Sequence, residues 1–107
     1  MMQYRPWDIW LAHVRFENSP GAKNRPVLIT SSGSVFVLAF MLTSHTPRDA
    51  WGEYFITEWR YAGLSKSTTI RISKQFHLEP HDMIHRIGTL HASDRMGVRQ
   101  IIASAAK

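Results

Sequence analysis

Apolar residues recur at every second position in Trp10, Ala12, Val14 and Phe16, alternating with Leu11, His13 and Arg15, of which the leucine departs from the pattern. That period of two predicts a half-buried β-strand. The next stretch, Glu17 to Asn24, gathers Asn, Ser, Pro, Gly and Lys, a composition that breaks regular structure and predicts a surface loop. Pro26 to Thr30 returns to an apolar β pattern, Ser31 to Ser34 reads as a turn, and Val35 to Leu42 is an unbroken apolar run. Apolar character on both parities predicts a central strand buried on both faces.

A second polar loop, Thr43 to Gly52, separates this strand from a short one at Glu53 to Glu58, and Trp59 to Lys66 reads as irregular. Thr68 to Lys74 alternates cleanly, with Ile70 and Ile72 on one side and Arg71 and Ser73 together on the other, facing solvent. Ile84 to Leu90 is the last predicted strand, and Gly88 within it marks a bulge or a close backbone approach. From Ser93 the period lengthens: Val98, Ile101, Ile102 and Ala105 recur at helical spacing, with Ser93 as a suitable N-cap and Asp94 suited to the positive end of the helix dipole. Gly97 costs that helix about 1 kcal/mol relative to alanine, so its stability has to come from docking on the sheet. The expected fold is mainly β with a C-terminal α-helix, a small barrel or curled antiparallel sheet capped by that helix, in a single domain spanning residues 1–107.

Composition narrows the function. Thirteen Lys and Arg stand against eight Asp and Glu, a formal charge of +5, which favours a polyanionic partner or an acidic protein surface. The chain has no cysteine, so disulfides, thiolate catalysis and cysteine zinc sites are excluded and the cytoplasm is the expected compartment. Met1 to Trp10 carries Arg5 and Asp8 and does not read as a signal peptide. Val35 to Leu42 is too short to cross a bilayer as a helix. His77, His81 and His85 are spaced four apart, but Pro80 interrupts the helix that would align them and no carboxylate completes a ligand pattern, so no metal and no cofactor are expected. Phosphate-binding loops, dinucleotide fingerprints and serine-nucleophile elbows are absent.

Arginines, hydroxyls and aromatics on loops and strand edges remain: Arg25, Thr43, Ser44, Arg48, Arg71 and Ser73, with Trp51, Trp59 and Phe76 close in sequence. Arg25 is notable because Pro26 forces it into extended backbone at the junction between the first loop and the second strand. A guanidinium on stiff backbone is suited to holding a phosphate through paired hydrogen bonds. Lys23 lies two residues before it, and His13 and His45 stand beside the two loops as candidate proton-transfer groups. The set suits RNA, whose phosphates take guanidinium groups and whose unpaired bases stack on aromatic faces. Filling of the barrel core is the competing role for the tryptophans.

The order of these pieces resembles the MazF/PemK family of toxin endoribonucleases from bacterial type II toxin–antitoxin systems. The resemblance runs from about Trp7 to the helix near Ala105 and rests on Trp7-Asp8-Ile9-Trp10-Leu11, Arg25-Pro26-Val27-Leu28-Ile29, Leu42-Thr43-Ser44, Gly63-Leu64 before Ser67 to Arg71, and Ile87-Gly88-Thr89-Leu90. It implies an SH3-like barrel, a homodimer, a cognate antitoxin and metal-independent cleavage of single-stranded RNA. In that reaction the 2′-hydroxyl attacks the adjacent phosphorus to leave a 2′,3′-cyclic phosphate and a 5′-hydroxyl. On this resemblance Arg25 and Thr43 are the catalytic residues, Arg25 stabilising the transition state and Thr43 bonding the scissile phosphate or leaving oxygen. Ser44, Lys23, Ser19, Arg71 and Ser73 are the expected substrate contacts. The sequence departs from the family at Ser73, where some members carry an acidic residue, at Ser19, where some carry histidine, and at Trp7, where glycine is usual. The reading of another class is a non-catalytic SH3-like module that binds RNA or a protein through the same surface.

Overall fold

The computed structural model describes residues 4–15, 22–33, 36–44 and 52–105. Six strands follow in chain order: β1 (Asp8–Arg15), β2 (Ala22–Ser32), β3 (Val37–Thr43), β4 (Glu53–Phe55), β5 (Thr69–Leu78) and β6 (Met83–Thr89). A 3-10 turn, Pro80–Asp82, joins β5 to β6, and the helix α1 (Ala92–Ala105) closes the sequence of elements. The strands form one sheet in the order β4-β5-β3-β2-β1-β6, antiparallel throughout. Strand β3 is central, as its unbroken apolar run predicts, with Val37, Ala39, Phe40 and Leu42 all buried.

The sheet has an apolar cluster on each face. Ile9, Leu28, Phe40, Leu42, Ile56, Ile70, Ile72 and Leu90 pack with Val98 of α1. Trp10, Ala12, Val14, Val27, Ile29, Val37, Ala39 and Leu78 form the second cluster. Alternate residues of β1 to β3 therefore feed separate cores, which is how a sheet of short strands buries both surfaces. Trp10 lies in the second cluster and Trp59 packs against the first, so both fill the core; Trp51 lies outside the described residues.

Several boundaries differ from the sequence reading. Strand β2 begins at Ala22, so Arg25 and Pro26 lie within a strand and not at its mouth. Pairing with β3 starts only at Val27, and the segment before it bonds to β1 alone. Proline is tolerated there because it stands on a one-sided stretch of strand, where a missing donor breaks no second ladder. Strand β4 ends at Phe55, three residues early, because the amides of Thr57 and Glu58 turn to the Asp94 carboxylate instead of to a neighbouring strand. Strand β5 runs on to Leu78 through an irregularity in its pairing with β3: Met41 pairs with Arg71, whereas Phe40 pairs with Gln75. The helix is capped by His91, not Ser93. The amides of Asp94 and Arg95 donate to the His91 carbonyl at 3.0 Å each, and the Ser93 amide donates to its Nδ1 at 3.1 Å.

Two glycines have physical reasons. At Gly88 a Cβ would collide with the Ala62 carbonyl, so its absence lets the 59–68 segment lie directly on β6 beside the pairing irregularity between Ile9 and Trp10. At Gly97 a Cβ would meet the Tyr54 ring, so the residue that weakens α1 also admits its docking partner. Trp7 has φ of 74°, a left-handed conformation that explains why glycine would be usual at this position. It is held by its amide bonding to the Ile29 carbonyl and its carbonyl accepting from the Leu90 amide, each at 2.9 Å.

Candidate functional site

A groove of about 650 Å³ opens where β2 outruns β3. Its lining draws on β1, β2, β3, β6 and the 63–68 segment, and it contains Arg25, Thr43, Ser44 and Lys23 together. The register explains the meeting of the first two. Val27 pairs with Met41 at the end of the antiparallel ladder, and continuing that register two steps beyond it assigns Arg25 and Thr43 to the same side of the sheet. Two residues separated by eighteen positions in sequence are thus placed by strand pairing, and Pro26 between Arg25 and the ladder stiffens the backbone that carries the guanidinium.

Charge in the groove has one sign. Lys23, Arg25, Lys66 and Arg86 are its ionic lining, with Asn24, Thr43, Ser44, Ser65, Thr68 and His85 as neutral polar groups, and no carboxylate appears among the described residues that line it. Arg86 is oriented from behind: its Nε donates to Asp8 Oδ2 at 3.1 Å, its guanidinium also bonds Thr89 Oγ1, and Thr89 Oγ1 donates to Asp8 Oδ1 at 2.7 Å. Asp8 is buried while the Arg86 side chain is half exposed, so the pair anchors the arginine from the interior where β6 borders the groove. A surface of fixed donors without opposing carboxylates attracts phosphate and repels nothing anionic.

Other expected site residues fall elsewhere. Arg71 and Ser73 do not line the groove. Arg71 is half-buried on β5, with Nε 3.4 Å from Glu53 Oε2, and so does not share an open, solvent-facing surface with the exposed Ser73. The reason is topological: β5 pairs with β4 at Arg71, so the guanidinium is drawn to the carboxylate of its cross-strand partner. Ser19, His45, Arg48 and Trp51 lie outside the described residues. Trp59 and Phe76 pack against the two apolar clusters and do not line the groove, so neither presents a face there. His13 Nδ1 is 3.1 Å from Asn24 Oδ1 across β1 and β2.

His77, His81 and His85 sit on three different elements, β5, the 3-10 turn and β6. Among the described residues no three His, Asp or Glu side chains gather into a metal site. Lys66, His85 and Arg86 are groove residues that sequence reasoning missed. His85 and Arg86 sit in a plain strand pattern, and nothing local to residues 84 to 90 says which cavity that strand borders.

Asp94 is the other concentrated polar site, distant in role from the groove. Its carboxylate accepts from the Tyr54 hydroxyl at 2.7 Å, the Thr57 amide at 3.0 Å, the Thr57 hydroxyl at 2.8 Å and the Glu58 amide at 2.9 Å. Burial by itself would raise this carboxyl, but the hydrogen bonds from Thr57, Tyr54 and Glu58 outweigh it and hold Asp94 below the usual carboxylate range. The Tyr54 hydroxyl is pushed up to about 12, first by burial and then by its bond to that carboxylate.

No protein-family model matches the sequence, and no curated protein matches it. Solved structures do resemble the fold. The Mycobacterium tuberculosis toxin MazF-mt6 superposes with a TM-score of 0.71 at 24% identity, covering 94% of this chain and 95% of that one. An endoribonuclease in complex with its cognate antitoxin, from a mycobacterial species, gives 0.70 at 16% identity, covering 97% and 95%. A further toxin of Mycobacterium tuberculosis gives 0.67 at 20% identity, covering 92% and 98%. The mainly β architecture with one C-terminal helix is thus the fold of the MazF toxins.

Proposed function

We propose that this chain is an endoribonuclease toxin of a type II toxin–antitoxin system, cleaving single-stranded RNA without a metal. The observation that carries the reading is the convergence of Arg25 and Thr43, on consecutive strands, on one cationic groove. A phosphodiester lying in the groove meets Arg25, which stabilises the charge that develops on the phosphate, and Thr43, which hydrogen-bonds the scissile phosphate or the leaving oxygen. The 2′-hydroxyl attacks phosphorus and the products are a 2′,3′-cyclic phosphate and a 5′-hydroxyl end. Ser44 and Lys23 hold the substrate beside them, with Lys66 and Arg86 supplying further positive charge. Ser19 remains a proposed contact from the first loop, whereas the place of Arg71 and Ser73 outside the groove argues against direct contact with the scissile bond.

The fold neighbours support the class: among them are toxins and an endoribonuclease bound to its antitoxin. By the same likeness we infer a single-domain toxin that acts as a homodimer in the cytoplasm and is held inactive by a cognate antitoxin. No helix among the described residues is long and apolar enough to cross a membrane.

Purified protein incubated with end-labelled single-stranded RNA in excess chelator tests the reading. The chain cuts and leaves cyclic phosphate ends, and Arg25→Ala lowers the rate about 100-fold or more, the scale of losing one donor aimed at a developing oxyanion. Binding without cutting across varied sequences identifies the non-catalytic module instead, and equal cutting by the variant removes Arg25 from the mechanism.

A further inference from the structure

We infer that His85 is the proton-acceptor of the groove, an inference that rests on the RNA-cleaving function proposed above. The cleavage needs a group that takes a proton from the 2′-hydroxyl. Among the described residues of the lining, Lys23, Arg25, Lys66 and Arg86 are cations with donors only, and the Ser and Thr hydroxyls and the Asn24 amide are not bases at neutral pH. No carboxylate lines the groove among those residues, and the position where some relatives of the resembled family carry one is Ser73, which lies outside it. Histidine is the side chain type that exchanges a proton near neutrality, and His85 is the histidine of this lining.

Strand register sets the spacing between its strand and the one that carries Arg25. Leu11 pairs with Pro26 on one side and with His85 on the other, so His85, Leu11 and Pro26 form a row across β6, β1 and β2. Two strand spacings separate the ends of that row, about 10 Å, and Arg25 is the next residue along β2. His85, Arg25 and Leu11 all contribute to the lining of the same groove. His85 Nδ1 lies 3.3 Å from the Arg86 carbonyl oxygen. A carbonyl oxygen only accepts, so this contact favours the tautomer with its proton on Nδ1 and leaves the Nε2 lone pair for the substrate. The strand segment that carries it is pinned one residue on by the Arg86 pair with Asp8.

The step balances simply. Nε2 takes the proton of the 2′-hydroxyl as that oxygen bonds to phosphorus. The bond from phosphorus to the 5′-oxygen breaks, the leaving oxygen takes a proton from water, and the imidazolium gives its proton to the hydroxide so formed. The charged groups that share the groove lining with His85 are Lys23 and Arg25 on β2, Lys66 on the 63–68 segment and Arg86 on its own strand. On β1, Leu11 is its cross-strand partner, Asp8 is engaged by Arg86 and Thr89, and His13 contacts Asn24.

The test is the pH profile of cleavage between about pH 5 and 9 for the full chain and for His85→Ala, His85→Gln and His45→Ala, with circular dichroism melts to establish folding. His85→Ala lowers the rate about 100-fold and removes the acid limb of the profile, while affinity for an all-2′-deoxy analogue of the substrate changes less than about threefold. His85→Gln behaves alike, and added imidazole restores part of the activity of His85→Ala. Cleavage by folded His85→Ala or His85→Gln within about threefold of the parent, with the acid limb intact, overturns the inference. So does disappearance of that limb in His45→Ala but not in the His85 variants. A parent protein that cuts no RNA at any pH refutes the underlying nuclease reading, a result distinct from either.

Discussion

The Asp94 site and the groove use charge in opposite ways. At Asp94 one carboxylate, fully enclosed, takes four hydrogen bonds from Tyr54, Thr57 and Glu58, and joins α1 to the strand end at β4. In the groove four cationic side chains face an open space with no carboxylate among the described lining. An enclosed charge whose hydrogen bonds are all made within the protein has nothing left to offer a ligand. A set of cations bordering solvent suits a polyanion, which is the role proposed for the groove. Arg86 shows the two uses meeting, since Asp8 satisfies one side of its guanidinium from the interior while the residue still borders the groove.

The largest test of this contrast is removal of the enclosed acceptor. Asp94→Ala leaves the Tyr54 and Thr57 hydroxyls and two amides without their partner, and destabilises the fold by about 3 kcal/mol. That corresponds to a fall of more than about 10 °C in the thermal midpoint for a domain of this size. RNA binding per folded molecule stays at the parental level, and a loss of binding at a temperature where the variant is folded would show that the two regions are not independent.

A smaller effect follows from acid. The Asp94 carboxyl is held below its unfolded value, so its contribution is fully present above about pH 4, the ordinary carboxylate range, and is lost as pH falls through the folded value. Denaturant midpoints measured from pH 6 downward fall for the parent across that window. For Asp94→Asn they start lower and fall less steeply, and parallel curves would remove Asp94 from the acid response.

In the groove, Lys23→Gln and Lys66→Gln leave the melting temperature within about 2 °C, since both are surface cations, and weaken RNA binding. Each lowers the slope of log affinity against log salt by about 0.7, the increment for one phosphate contact on a single strand. An unchanged slope for both would put the RNA path elsewhere. The smallest effect is at Arg71, whose partner is Glu53 and which does not line the groove. Arg71→Gln changes the cleavage rate less than about threefold and costs less than about 1 kcal/mol of stability, because the pair is partly exposed. A 100-fold loss of cleavage would return Arg71 to the site.

Part of the groove lining was legible because Arg25 and Thr43 sit in patterns that are local. Arg25 announces itself by the proline after it, and Thr43 by ending the longest apolar run. Lys66, His85 and Arg86 carry no such mark. Arg71 is expected to contact substrate from an alternating strand, and only the neighbouring strand, which supplies Glu53 as its partner, shows why it does not line the groove. The Ser93 cap is instructive too: a good capping residue was displaced by two positions because His91 provides both a carbonyl and a ring nitrogen to the first turn.

By itself the sequence determined the strand-rich class, the order of the strands, the terminal helix and the stiff backbone at Arg25, since periodicity, turn composition and proline act over a few residues. It also marked Gly88 as a bulge or a point of close approach, and the Ala62 carbonyl lies where its Cβ would be. Tertiary structure alone decided what those elements face. The pairing of β2 with β3 brought Arg25 and Thr43 to one groove, that of β1 with β6 set His85 against Leu11, and folding across 36 to 40 residues brought Tyr54, Thr57 and Glu58 to Asp94. Such partners are fixed by long-range packing and by single-residue shifts in register, and one shift turns a side chain to the opposite face of the sheet.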